Sequence, residues 1–210
     1  MKFIKQVNKD HYNFSSYYTP ERNASLFFQL NEVISFQPSA VLEVGPGPGI
    51  FKAVANKFDI KVETLDIDSD LSPDHICSVF DMPFENNKYD VVCAFQMLEH
   101  LPFNDSIAAF KEMARIANKA VIISLPDATK SVRFSLHVPT FGYYRFMLTG
   151  PSLFLREHIF DGQHYWEIGK KEYSLRHVLK CFQLASNFNL VKTFRVYENP
   201  YHRFIVFARK

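Results

Sequence analysis

Apolar residues recur along this chain at two spacings. Short runs bounded by polar residues predict buried strands near 40–44, 61–65, 76–79, 90–95 and 120–125. Between them the apolar positions fall three and four apart. Phe27, Leu30, Val33 and Ile34 give one stripe, so a helix is expected from about 20 to 36, with Thr19 as cap and Pro20 as first helical position. Phe51, Val54, Ala55 and Phe58 give another. After Asn104 or Asp105, a third helix turns Ile107, Phe110, Ala114 and Ala117 inward and leaves Lys111, Glu112 and Arg115 to water. Leu175, Val178, Leu179 and Phe182 mark a last helix, and Leu190 to Tyr197 and Tyr201 to Ala208 a closing hairpin around Glu198-Asn199-Pro200. Strand alternating with helix is the pattern of a parallel sheet covered on both faces.

Composition narrows the reading. At 210 residues, 47% of them hydrophobic, the chain suffices for one domain with its own core, and 1–210 is read as a single unit. The net charge of +2 is dispersed, with no basic block of the kind that follows a phosphate backbone, so nucleic acid is not an expected partner. Cys77, Cys93 and Cys181 are scattered and odd in number, as befits free thiols in a reducing compartment. The opening residues Met1 to Asn8 lack the apolar core of a signal peptide, and no later run is long enough to span a bilayer. A cytoplasmic location is the expectation.

Candidate chemistry begins where the first strand ends. Val41-Leu42-Glu43-Val44 runs into Gly45-Pro46-Gly47-Pro48-Gly49, and the helical stripe follows at once. Glycine permits positive φ and removes the Cβ that would hold a ligand off the main chain, while the prolines stiffen the turn. The loop differs from the G-x-G-x-x-G dinucleotide pattern because its third glycine comes one residue early. Its sequel is informative. The second strand ends at Asp66, where an acid is placed to take up ribose hydroxyls.

Glu43-Val44-Gly45-Pro46-Gly47-Pro48-Gly49, Leu65-Asp66-Ile67-Asp68, Asp81-Met82-Pro83-Phe84, Tyr89-Asp90-Val91-Val92 and Met97-Leu98-Glu99-His100-Leu101 stand in that order. In order and spacing the set resembles the class I S-adenosylmethionine-dependent methyltransferases, in particular the small-molecule group known as methyltransferase domain 11, over about residues 38 to 125. The resemblance implies an α/β, Rossmann-like sheet of seven mostly parallel strands with helices on both faces, the last strand antiparallel. It implies S-adenosyl-L-methionine as cofactor. Glu43, Gly45, Gly47 and Gly49 would serve its amino-acid end, Asp66 its ribose, and Ile67 the adenine face. Asp81 would accept from the exocyclic amine, the Met82 amide would meet a ring nitrogen, and Gln96 would line the methyl-transfer point. Transfer of an already electrophilic methyl group requires positioning and exclusion of water, and no metal.

Two further regions bear on the acceptor. His11 to Tyr18 are rich in aromatic residues, and Tyr17 and Tyr18 are placed either to close the cofactor mouth or to fill the space between helix and sheet. Residues 126–170 exceed a plain connection and are dense in aromatics and cations, including Arg133, Phe134, Phe141, Tyr143, Tyr144, Arg145, Phe146, Phe154 and Trp166. They read as a substrate lid between the core at 38–125 and the closing elements at 171–210, behind an N-terminal arm and helix at 1–37. Part of the insertion should form a satellite core of rings. Phe141 to Leu155 alternatively suits peripheral contact with a membrane surface.

Where an acceptor must lose a proton, histidine suits the task, and His100 and His164 are the candidate catalytic residues. Asn199-Pro200-Tyr201 is hairpin chemistry and no catalytic motif, since it sits in the terminal turn. The function expected is methyl transfer to a small molecule such as a sugar, a lipid-linked intermediate or an aromatic metabolite, with the arginines of the insertion hinting at an anionic acceptor. An RNA or protein methyltransferase, marked by a Lys/Arg patch at the cofactor mouth, and a non-catalytic partner-binding subunit are the alternatives.

Overall fold

The structure, a computed structural model, describes residues 9–150 and 155–209. The readings of Met1 to Asn8 and of Phe154 lie outside the described residues. Its helices are α1 (Phe14–Tyr17), α2 (Pro20–Ile34), α3 (Ile50–Ala55), α4 (Phe103–Ile116) and α5 (Leu175–Leu184). Its strands are β1 (Val41–Val44), β2 (Val62–Asp66), β3 (His75–Ile76), β4 (Tyr89–Phe95), β5 (Ala117–Pro126), β6 (Ser131–Val138), β7 (Gly142–Thr149), β8 (Asn189–Arg195) and β9 (His202–Ala208).

Seven strands form one sheet in the order β3-β2-β1-β4-β5-β9-β8. All pairs from β3 to β5 are parallel, and β9 runs antiparallel to both its neighbours, as the sequence led one to expect. Parallel strands buried on both faces need near-continuous apolar side chains, which Val91, Val92, Cys93 and Ala94 supply in β4. One face packs Phe110 of α4 against Phe182 of α5 and Phe207 of β9. The other packs Leu26 and Val33 of α2 and Phe51 of α3 against Phe95 and Phe204. Among the described residues no helix is long and apolar enough to cross a membrane.

Boundaries differ from expectation where side chains do not decide them. Thr19 caps α2 through its hydroxyl, which accepts from the Arg22 amide. α4 starts at Phe103, before the anticipated Asn104 or Asp105, directly after Pro102, whose carbonyl accepts from the Ser106 amide. β3 shrinks to two residues because the chain bends away after Ile76.

The insertion contains a separate antiparallel ribbon, β6 with β7, and this was not legible in the sequence. Its rings do not make the satellite core anticipated for them. Phe134 and Phe146 stack at 4.9 Å between centroids, yet both stay exposed, as do Phe141, Tyr143 and Tyr144. The ribbon is fastened by polar contacts. Arg133 Nη1 donates to the carbonyls of Tyr197 and Glu198 at 3.1 and 2.9 Å, and Arg145 Nη1 pairs with Glu198 Oε1 at 2.6 Å. These two arginines are therefore engaged with the terminal turn, which withdraws their hint of an anionic acceptor.

The returning segment joins the main core instead. Trp166 is fully buried against Phe103, Tyr173 and Phe182, and its indole N–H donates to the Leu101 carbonyl at 3.1 Å. Below it, the carboxylate of Asp127 accepts from Arg203 Nε at 2.6 Å and from the Thr129 amide at 2.9 Å, tying the start of the insertion to β9. Trp166→Ala should lower stability by about 3–5 kcal/mol through lost burial and a residual cavity. Phe134→Ala in the exposed ribbon should cost no more than about 1 kcal/mol. Urea denaturation of the two variants tests this division, and equal losses would contradict it.

Candidate active site

Strands β1 and β4 are neighbours at the point where strand order reverses, and their carboxyl ends open a crevice of the kind in which doubly wound sheets hold ligands. The glycine loop after β1 forms one wall. A Cβ on Gly45, whose φ is +70°, would stand 2.4 Å from Met97 Cγ, so only glycine lets this loop meet the turn after β4 so closely. Gly47, at φ +53°, faces the other way, and a Cβ there would lie 3.2 Å from the ring of Tyr12. Gln96, just past β4, stands at φ +54°, a left-handed conformation uncommon for this residue type, and its side-chain amide donates to Ser124 Oγ at 3.2 Å.

A cavity of about 100 Å³ lies between these walls. Glu43, Gly45, Gly47 and Gln96 line it, joined from the N-terminal side by Tyr12, Tyr17, Tyr18 and Arg22. Gly49 is not in its wall. Sites for ligands of drug size or larger commonly enclose roughly 300–1,000 Å³. The tyrosines account for the deficit: Tyr12 and Tyr17 meet edge to face at 5.0 Å, and the Arg22 guanidinium covers the Tyr17 ring at 4.1 Å. Burial, with the charges of Tyr17, Asp66 and Asp68, pushes the Tyr12 hydroxyl up to about 12. This tyrosine lies over the crevice between the glycine loop and the end of β2.

Glu43 is the electrostatic anomaly. It is 4% exposed, among the described residues its Oε2 has no hydrogen-bond partner, and burial lifts its carboxyl to about 8, opposed by Lys52. An acid left unsatisfied in a cavity wall is matched by a ligand that brings a positive donor. The cradle and this orphaned oxygen together fit the ammonium-bearing end of S-adenosylmethionine.

The remaining cofactor candidates lie outside the cavity wall. Asp66, half-buried at the end of β2, accepts from the Asp68 amide at 2.9 Å through Oδ1, and Ile67 beside it is 49% exposed. Asp81 is exposed. Met82 departs from expectation, because its amide already donates to Glu112 Oε1 at 3.2 Å and its side chain is buried. A ring nitrogen would have to displace that carboxylate.

His100 and His164, remote in sequence, are brought together with ring centroids 5.1 Å apart. Burial, chiefly, lowers His100 to about 4. Burial acts to lower His164, but the Glu167 carboxylate, accepting from it at 3.1 Å, together with the charges of Glu99 and Asp161 raises that imidazole overall. Its bond to His164 also holds Glu167 down to about 2, and the Tyr201 hydroxyl donates to the same Glu167 oxygen. Sequence reasoning passed over Glu99, Glu167, Tyr12, Arg22 and Tyr201. Of these, Tyr12 carried a signal in the aromatic run from His11 to Tyr18, and Glu99 in the Met97 to Leu101 motif.

Sheet order, glycine cradle and the acid at the end of β2 define a class I, S-adenosylmethionine-dependent methyltransferase. A family model described as a methyltransferase domain matches residues 17–166, more than half of the chain, and the chain belongs to this family. No curated protein matches the chain. Solved structures share the fold at low identity. A protein of Pyrococcus horikoshii is 13% identical with a TM-score of 0.63, over 97% of this chain and 100% of that one. The 1,6-didemethyltoxoflavin-N1-methyltransferase of Burkholderia thailandensis, solved with 1,6-didemethyltoxoflavin and S-adenosylhomocysteine, is 13% identical with a TM-score of 0.62, over 96% and 83%. The magnesium protoporphyrin IX methyltransferase of Synechocystis, solved with S-adenosylhomocysteine, is 14% identical with a TM-score of 0.58, over 90% and 84%.

Because Glu43 binds its proton more tightly in the folded chain than when unfolded, it opposes folding progressively as pH climbs from about 4.5 through about 8. Pairing with an ammonium reverses that preference. Binding of S-adenosylmethionine at pH 7 should release up to about one proton. Calorimetry in buffers of different ionisation enthalpy measures it, and Glu43→Gln should abolish the release.

Proposed function

We propose that this chain methylates a small-molecule acceptor, with Glu43, the glycine loop, Asp66 and Gln96 holding the donor. The observation that carries the reading is the unpartnered Glu43 oxygen in the wall of a glycine-lined crevice. S-adenosylmethionine, when bound, supplies an electrophilic methyl group open to in-line displacement. Glu43 pairs with the ammonium, and the Gly45 to Gly49 turn lets main chain approach the amino-acid end. Asp66 accepts from ribose hydroxyls, as an ionised carboxylate at a strand end does well. Ile67 offers an apolar face to the adenine, and Asp81 accepts from its amine. Gln96, held by Ser124, borders the point of transfer.

The arm bearing Tyr12 and Tyr17 moves to admit the donor and then shields it from water, since the cavity is too small with both rings in place. The acceptor enters beside Tyr17, on the side of Glu99, His100 and His164. The charges of Glu43 and Glu99 both act on Tyr17, which supports this route. A small molecule suits this reading better than a macromolecule, because the dispersed charge offers no basic track and the crevice is covered by the chain's own arm.

Calorimetric titration with S-adenosylmethionine and S-adenosylhomocysteine should show one site in the wild-type protein. Asp66→Ala should weaken both ligands by at least tenfold, equivalent to about 1.4 kcal/mol. Unchanged affinity in a folded Asp66→Ala variant would remove Asp66 from the site, and no binding by folded wild-type protein would overturn the proposed function.

A further inference from the structure

Next to the donor cradle the chain assembles a second constellation that methyl transfer does not demand. Glu99 is wholly buried, and among the described residues neither of its carboxylate oxygens has a hydrogen-bond partner. Ligand atoms of Glu99, His100 and His164 all lie within 4.8 Å of one another. A buried carboxylate with both oxygens unsatisfied is costly unless something positive meets it. Arg22 acts on it only through space, and no guanidinium or ammonium hydrogen-bonds to it.

The two imidazoles are oriented for one task. His100 Nδ1 lies 3.2 Å from the Gln163 carbonyl and donates to it, which makes Nε2 the unprotonated nitrogen. His164 Nδ1 lies 3.1 Å from Glu167 Oε1, and Glu167 is in turn held by the Tyr201 hydroxyl. Donation of Nδ1–H to a carbonyl or carboxylate is how metal-binding histidines are fixed in tautomer and direction. The residue set also holds its partners: the Tyr165 amide donates to the Glu99 carbonyl at 2.9 Å, and the Asp161 carboxylate accepts from the amides of Gln163 and His164. The segment that carries His164 is thereby clamped to the turn that carries Glu99 and His100.

We propose that Glu99, His100 and His164 bind a divalent transition-metal ion, with Glu167, Tyr201 and the Gln163 carbonyl as its supporting shell. Two imidazole nitrogens and one carboxylate oxygen suit zinc, cobalt or manganese far better than magnesium or calcium, which prefer oxygen ligands. Three protein ligands leave a coordination position for water or an acceptor oxygen. In this assignment His100 and His164 act on the acceptor through the ion and are not free general bases. That last step rests on the methyltransferase reading above; the ion site does not.

Cobalt(II) is the probe, because imidazole and carboxylate ligation of this ion gives visible absorption bands. Added to chelator-treated protein without S-adenosylmethionine, it should bind at one equivalent. Glu99→Met, His100→Ala and His164→Ala should each abolish the bands, while Glu167→Gln should weaken binding roughly 10–100-fold. Glu99→Met removes a buried, unpartnered carboxylate, so its metal-free thermal midpoint should equal or exceed the wild-type value, and its loss of cobalt is then not a loss of fold. His75→Ala, remote from the cluster and paired with Glu63, should bind as wild type does. Binding that survives Glu99→Met, binding that follows His177 and Cys181, whose Sγ lies 3.6 Å from His177 Nε2, or no binding by folded wild-type protein would each overturn the proposal. Cobalt bound without any uptake of S-adenosylmethionine would leave the ion site standing and sink the methyltransferase reading.

Discussion

The close approach of Gly45 to Met97 is the constraint on which the site depends. β1 and β4 pair in register from Val41 with Val91 to Glu43 with Cys93, and beyond them two turns compete for the same space. The missing Cβ at Gly45 settles the competition. It lets the Glu43 side and the Gln96 side of the crevice stand face to face, and it fixes the start of the short helical turn from Leu98 to His100. The glycine loop and the turn that carries Glu99 and His100 thus meet at one packing contact.

What was legible in the sequence was what local physics decides. Buried parallel strands have apolar runs too continuous to mistake, and the Glu43 to Gly49 loop needs its glycines for backbone reasons alone. The clustering of His100 with His164 was not legible as a pair, because 63 residues separate His100 from its Gln163 anchor and only the folded insertion brings them together. Glu99 was passed over for a related reason. A glutamate beside a histidine on a turn reads as a solvated residue until the fold buries it and ties its carbonyl to the Tyr165 amide.

The ribbon of β6 and β7 taught the opposite lesson. Its residues are aromatic enough to suggest a core, yet alternate side chains along paired strands point to opposite faces: the face of Phe134 and Phe146 stays exposed, and the face of Arg133 and Arg145 meets Tyr197 and Glu198. Polar tethers at Arg133 and Arg145 set its position instead. Composition identified the insertion as unusual and could not say which of its rings would be dry. That choice fell to Trp166 because the following residues, Asp127-bridged Ile168 among them, pull it under α4.

The tyrosine arm has a thermodynamic side as well. If the donor sits where the proposed function puts it, the tyrosine ring makes the protein its own competitor: the apparent affinity for the donor equals the intrinsic one multiplied by the fraction of molecules with the arm lifted. The same competition runs in reverse after the reaction. An arm joined to α2 through Tyr18 and Thr19 alone stays beside the crevice and returns to it as an intramolecular competitor. In the proposed function, departure of the spent donor is then an exchange between two occupants, with no empty crevice between them.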